Sequence, residues 1–388
     1  MKKIWPFTFF LTLFAGYAFV LPFLVLYYQR SGFTGTQIGL LSGITPLITM
    51  IGASLWTALA DSTRRHRLIM SITILIGALS VFLFPFFNTF VPILLIAILF
   101  NAFFAPISSF ADSATMFMLA DKKEMYGRIR MGGTIGFGIA AILAGVLVQR
   151  YGLHMAFWGC AVLLLMGLVL SQKLTHSTVT STGSTLQGIR ILLTNRRWLL
   201  FLVLAFAGGL ALAGTNTYLF PFLKELGANE STMGLAAMLG TLSEIPVLFY
   251  GHFLVRRFKP FGLLMLAMAF TGLRLLAFAA SDTPTLALIV QLFNGLTFPA
   301  MWVAGVTYAN ENAPTGLSAT AQGMFGAMVF GFGTAVGGFA GGPLLESFGG
   351  RSIYIVFGLA VLGTVSIVAL LQRHLPEQPV ASPSMVMK

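Results

Sequence analysis

Three ionisable residues sit well inside long apolar runs, Asp112, Glu244 and Arg274, and a fourth, Arg130, lies about one turn inside another. A charge at the centre of a bilayer costs about 2.5–3.5 kcal/mol, so each must meet a partner or water rather than hydrocarbon. Glu244 lies about ten residues, or roughly 15 Å, from one end of its run, and Arg274 about thirteen, or roughly 20 Å, from the same end of the next. Near-equal depth on consecutive helices predicts an ion pair. Asp112 and Arg130, eighteen residues apart across a short loop, differ in depth by roughly 6 Å, which two flexible side chains can bridge. A purely structural bridge is one reading of each pair. The chemical reading is that a carboxylate trades its arginine for a proton or for a substrate hydroxyl, altering its own proton affinity through burial and charge loss. On that reading Glu244 carries a coupling proton with Arg274 as its switchable partner. Asp112, sharing in the coupling, contacts substrate together with Arg130.

Polar residues at similar depth extend the set of candidate substrate contacts to Tyr17, Asn101, Asn216, Tyr218, Gln291 and Asn294. Each has a packing alternative, because polar side chains also hydrogen-bond one membrane helix to another. The five histidines, His66, His154, His176, His252 and His374, fall at the ends of runs or between them, which excludes a mid-membrane histidine relay. Pro246, two residues after Glu244, predicts a kink beside the acid, since proline removes a backbone hydrogen bond.

The elements that hold these residues follow from composition. Of 388 residues, 57% are hydrophobic and 9% charged, against about 25% charged in a soluble domain. Apolar stretches place helices near 4–29, 37–60, 68–87, 92–119, 128–149, 153–172, 198–222, 231–254, 261–280, 284–309, 318–345 and 351–373. Each is long enough to cross about 30 Å of hydrocarbon. The chain is therefore an all-α membrane protein of twelve spans. Eighteen Lys and Arg fall on one side and four on the other, with Arg274 inside a span. That asymmetry puts both termini in the cytoplasm and the protein, multi-pass, in the plasma (inner) membrane. It also accounts for the net charge of +12 without nucleic acid. The apolar N-terminal run lacks a small-residue cleavage site and reads as a retained first helix. Cys160 stands alone and forms no internal disulfide.

A Ser/Thr-rich cytoplasmic linker, 173–197, separates an N-terminal six-helix half, 1–172, from a C-terminal half, 198–375, which a disordered tail, 376–388, follows. The halves echo each other. Gly32-x3-Thr36-x2-Gly39 recurs as Gly227-x3-Ser231-x2-Gly234, and Gly145-x5-Tyr151-Gly152 recurs as Gly342-x5-Phe348-Gly349. Parallel six-helix halves with a substrate site between them are a transporter architecture. No HExxH, Gly-x-Ser-x-Gly, phosphate-binding glycine-lysine loop or metal-spaced His/Cys cluster occurs, so neither an enzyme nor a cofactor or metal is expected.

The loop Ala58-Leu59-Ala60-Asp61-Ser62-Thr63-Arg64-Arg65-His66-Arg67 resembles the major facilitator superfamily signature G-x-L-x-D-R-x-G-R-R. It keeps the Asp and trailing basic residues but has Thr63-Arg64 where the inner Gly is expected. Asp61, Arg64 and Arg65 would form the conformational loop, a carboxylate among cations that latches one helix end against another. Tyr126-Gly127-Arg128-Ile129-Arg130-x2-Gly133-x2-Gly136-Phe137 and Gln291-Leu292-Phe293-Asn294-Gly295-Leu296-Thr297-Phe298 are similar to motifs of one branch. That branch holds the oligosaccharide and nucleoside proton symporters and the phenylpropionate permeases, and its tenth-helix motif has His where Asn294 stands. The branch also carries acid and arginine pairs on the fourth and fifth and on the eighth and ninth helices, where they bind substrate or the coupling proton. The resemblance implies a monomeric secondary transporter in the lipid bilayer, with protons and a small polar organic solute (sugar, nucleoside or aromatic acid) as its partners. A proton-coupled efflux antiporter is the alternative; the fifth helix lacks the Gly-Pro-Gly-Gly stretch usual in drug exporters, which favours uptake.

Overall fold

The computed structural model describes residues 4–119, 125–175, 190, 192–313 and 317–373. Most of the expected linker and all of the expected tail lie outside these residues. Twelve helices are long and apolar enough to cross a membrane: α1 Ile4–Arg30, α2 Gly35–Thr63, α3 His66–Phe86, α4 Phe90–Leu119, α5 Tyr126–Tyr151, α6 His154–Ser171, α7 Arg196–Thr217, α8 Glu230–Phe258, α9 Pro260–Ala279, α10 Pro284–Glu311, α11 Thr320–Phe348 and α12 Gly350–Gln372. All twelve predicted spans are found, and α5 starts two residues earlier than expected. Large apolar side chains such as Leu55, Val91, Val169, Phe249 and Phe253 are exposed around the bundle, as lipid-facing residues must be.

The helices form two six-helix halves. Within the first, Tyr27, Phe84 and Phe157 pack ring against ring, and the Tyr27 hydroxyl bridges the Phe84 and Phe87 carbonyls at 2.7 Å each. The Phe84 carbonyl also accepts from the Phe87 N–H at 3.3 Å, the bond that closes the 3-10 turn at the end of α3. Within the second, Trp198, Phe201, Tyr308 and Phe325 make a matching cluster.

Among the described residues, the helices packed across the seam between halves are α2 on α11, α5 on α8, and α1 on the segment that includes the end of α7 and Leu219–Glu225. The end of the bundle where α1 begins and α12 finishes is termed proximal, and the opposite end distal. Phe23 of α1 meets Phe220 edge-on at 5.0 Å, and Tyr218, fully buried, donates to the Gly338 carbonyl of α11 at 2.6 Å. Both contacts lie toward the distal end.

Helical irregularities mark the interior. α8, where Pro246 predicts a kink, is one continuous helix over Glu230–Phe258; the break in helical geometry falls on α10. α10 tightens to a 3-10 turn over Leu292–Leu296, leaves helical geometry at Thr297 (φ −105°, ψ −92°) and restarts at Phe298. Pro299 explains the break, because its ring would clash with the carbonyl of Gly295 in a continuous helix. Wider turns interrupt α7 at Ala213–Thr217 and α11 at Ala327–Gly333. At the proximal end, Arg64 after α2 (φ 56°, ψ 24°) takes the left-handed conformation, whereas Lys259 after α8 pairs a positive φ of 59° with an extended ψ of 155°. Arg64 occupies the place where the facilitator signature has its inner glycine, the residue for which such a turn carries no steric cost.

Candidate functional site

The break in α10 lets three helices share one polar cluster. Arg274 of α9 is 6% exposed and directs its donors at the broken segment. One Nη donates to Asn294 Oδ1 at 2.8 Å and Thr297 Oγ1 at 3.2 Å, the other to Gln291 Oε1 at 2.6 Å, and Nε to the Val290 carbonyl at 3.3 Å. Its guanidinium also lies over the Phe278 ring, 5.2 Å from the centroid. The expected direct ion pair with Glu244 is absent. Asn294 stands between them, its Nδ2 donating to Glu244 Oε1 at 2.8 Å. The physical reason is that an amide is both donor and acceptor, so one side chain serves a cation and a carboxylate at once. A histidine there would do so only in one protonation state. Close approach of α8 to α10 completes the cluster: Gly295 N–H donates to Ser243 Oγ at 3.1 Å, and a Cβ on Gly295 would overlap the Ser243 carbonyl.

The second cluster belongs to the first half. Asp112 of α4 and Arg130 of α5 approach to 3.6 Å, with side chains 38% and 32% exposed. A charge pair that keeps this exposure inside a span opens on water rather than lipid. The Tyr126 hydroxyl donates to Asp112 Oδ1 at 2.8 Å. The Arg130 guanidinium lies 4.2 Å from the Phe14 ring centroid and 4.9 Å from that of Phe10, a favourable placement of a cation on aromatic faces. Tyr17 extends this wall, 5.2 Å from Phe14 and 4.5 Å from Phe104 between centroids.

The remaining candidates are placed differently. Asn101 is buried and turns to the Ala97 carbonyl at 2.8 Å and Thr45 at 3.5 Å, holding α4 to α2. Tyr218 belongs to the seam rather than to either cluster. Asn216 is exposed on the irregular stretch of α7. At the proximal end Asp61 bonds His66 Nε2 at 2.8 Å, tying the end of α2 to the start of α3, while Arg64 and Arg65 are exposed. Several contributors escaped the candidate set. Thr297 and Tyr126 lie in motifs quoted above, which was the available signal. Phe10 and Phe14, one helical turn apart, look like any packing pair, and Ser243 is marked only by its neighbour Glu244. Among the described residues no group of His, Cys, Asp and Glu is spaced to hold a metal.

Comparison with known proteins agrees with this architecture. The MFS_1 like family model matches residues 4–356. A maltose permease of Geobacillus stearothermophilus is 26% identical over 375 residues, covering 96% of this chain and 95% of the permease. The nucleoside permease NupG of Escherichia coli is 24% identical over 339 residues, covering 81% of each chain. The crystal structure of nucleoside transporter NupG superposes with a TM-score of 0.85 at 19% identity, over 96% of this chain and 99% of that one. These relatives are transporters and permeases, not enzymes. The chain thus belongs to the MFS_1 like family and is a multi-pass membrane transporter of the major facilitator type.

Proposed function

We propose that the protein is a secondary active transporter that imports a small polar organic solute with protons by alternating access across the plasma membrane. One observation carries this reading: Glu244 is held by the neutral amide of Asn294 rather than by a cation. It can accept a proton without first breaking an ion pair, and the loss of its charge reaches Arg274 through that amide. A neutral acid leaves a buried guanidinium uncompensated, which favours a rearrangement of the α10 break. The half-buried pair of Arg130 and Asp112, with the partly exposed rings of Phe14 and Tyr17 beside it, supplies hydrogen bonds and ring faces for substrate. Maltose and nucleoside permeases among the relatives put sugars and nucleosides first as solutes.

The test is proton movement in proteoliposomes challenged with sugars, nucleosides and aromatic acids. One solute is expected to drive protons in the same direction as itself; protons moving against the solute would establish the rival efflux antiporter, which the partly exposed rings of Phe14 and Tyr17 favour. A panel that moves no protons would remove the coupling claim. Once a solute is known, Arg130→Lys is expected to raise its KM about tenfold, as a compact ammonium loses the stacked, forked geometry of the guanidinium. An unchanged KM would take Arg130 out of the substrate site.

A further inference from the structure

The repeated glycine motifs meet crosswise at the distal end. The start of α2 packs on the end of α11, where a Cβ on Gly342 would overlap the Gly35 carbonyl, and the start of α8 packs on the end of α5, where a Cβ on Gly234 would overlap the Ala141 carbonyl. At each crossing one polar bond joins the halves. Glu346 of α11 accepts from the Gly35 N–H of α2 at 2.6 Å. Its counterpart 197 residues earlier, Gln149 of α5, accepts from the Ser231 hydroxyl of α8 at 2.5 Å.

The two bonds are alike in place and unlike in strength. In α2 the Thr34 side chain accepts from the Gln37 N–H, and the Gln37 side chain accepts in return from the Thr34 N–H. The Gly35 N–H is left over at the positive end of the helix, and the carboxylate that takes it comes from the other half of the molecule. A charge-assisted bond of this kind is roughly twice as strong as the neutral amide–hydroxyl bond at the second crossing. Glu225 provides a contrast. Its carboxylate accepts from the Gly350 N–H at 3.0 and 2.8 Å, the same chemistry at the start of α12, yet both partners belong to one half and no rocking of the halves disturbs them.

We propose that Glu346 is the principal latch of the distal gate: its bond to the α2 N-terminus holds the halves together there, and releasing it is a condition for the site to open on that side. This rests on the alternating-access part of the reading above and requires neither a substrate nor protons. Spin labels introduced by Tyr151→Cys and Phe348→Cys report the distal opening. These positions are exposed, repeat-related and on opposite halves, whereas the native Cys160 is fully buried. Distances are measured by electron–electron resonance in lipid nanodiscs with no solute and no gradient, so the outcome is independent of proton coupling.

In the otherwise native protein the short distance dominates. Glu346→Ala is expected to raise the long-distance fraction several-fold, Glu346→Gln about twofold, Gln149→Ala less than Glu346→Ala, and Glu225→Ala not at all. A Glu346→Ala distribution like that of the native protein would overturn the latch, as would an equal shift in Glu225→Ala or a larger one in Gln149→Ala. Should the alanine variant not fold, Glu346→Gln decides, an unchanged distribution overturning the proposal.

Discussion

Replacing Glu244 with Gln is expected to abolish accumulation of solute while exchange of solute for solute continues near the native rate. The substitution keeps the shape of the side chain and an oxygen for Asn294 Nδ2, the bond that measures 2.8 Å, and removes only the capacity to titrate. A symporter moving one proton per solute accumulates up to about tenfold per unit of pH gradient, since 1.4 kcal/mol is a factor of ten. The variant has no such coupling, so its internal-to-external ratio falls to about one at any gradient. Exchange needs only that the loaded carrier reorient, which the neutral form permits. Radiolabelled uptake in proteoliposomes with an imposed pH gradient, followed by counterflow without one, separates the two activities. A variant that still accumulates solute would return Glu244 to a packing role.

The second large effect is structural. Arg274→Met strands the oxygens of Gln291, Asn294 and Thr297, all of which accept from the guanidinium in the native protein, and leaves Glu244 with no positive charge nearby. Removing one partner of a buried charged network typically costs on the order of 3–5 kcal/mol. Arg274→Lys restores the charge but serves the acceptors from a single atom, so it should fall between the two. Reaction of the buried Cys160 with a thiol dye during heating reads the loss of tertiary structure directly. The order native, Lys, Met in melting temperature is expected, and equal melting of native and Met proteins would show that Arg274 does not hold the broken helix.

The spans were legible in the sequence because a run of about twenty apolar residues has few uses outside a bilayer. The buried charges were legible because they are costly there. What the sequence did not reveal is which partner each charge meets. Depth along a helix comes from counting residues, but facing direction depends on how neighbours pack, and α10 changes its facing at the 3-10 turn over Leu292–Leu296. That is why Glu244 and Arg274, at similar depth, reach each other only through Asn294. The same limit applied to Asn101 and Tyr218, polar residues at suitable depth whose side chains turn into helix crossings. The aromatic wall was hidden for a different reason, since Phe is abundant throughout the chain. Arg64 was misleading in residue type only: glycine is missing from the motif, yet the left-handed turn is present.

That turn is not repeated in the second half. Arg64 and Lys259 stand 195 residues apart at corresponding links and both have a positive φ, but their ψ values are 24° and 155°. Arg64 ends its helix in the left-handed form common at helix ends. Lys259 precedes Pro260, whose ring bars that form and drives ψ to extended values. The two halves therefore reverse the chain at the same place by different backbone routes, and a proline in one link is enough to separate them.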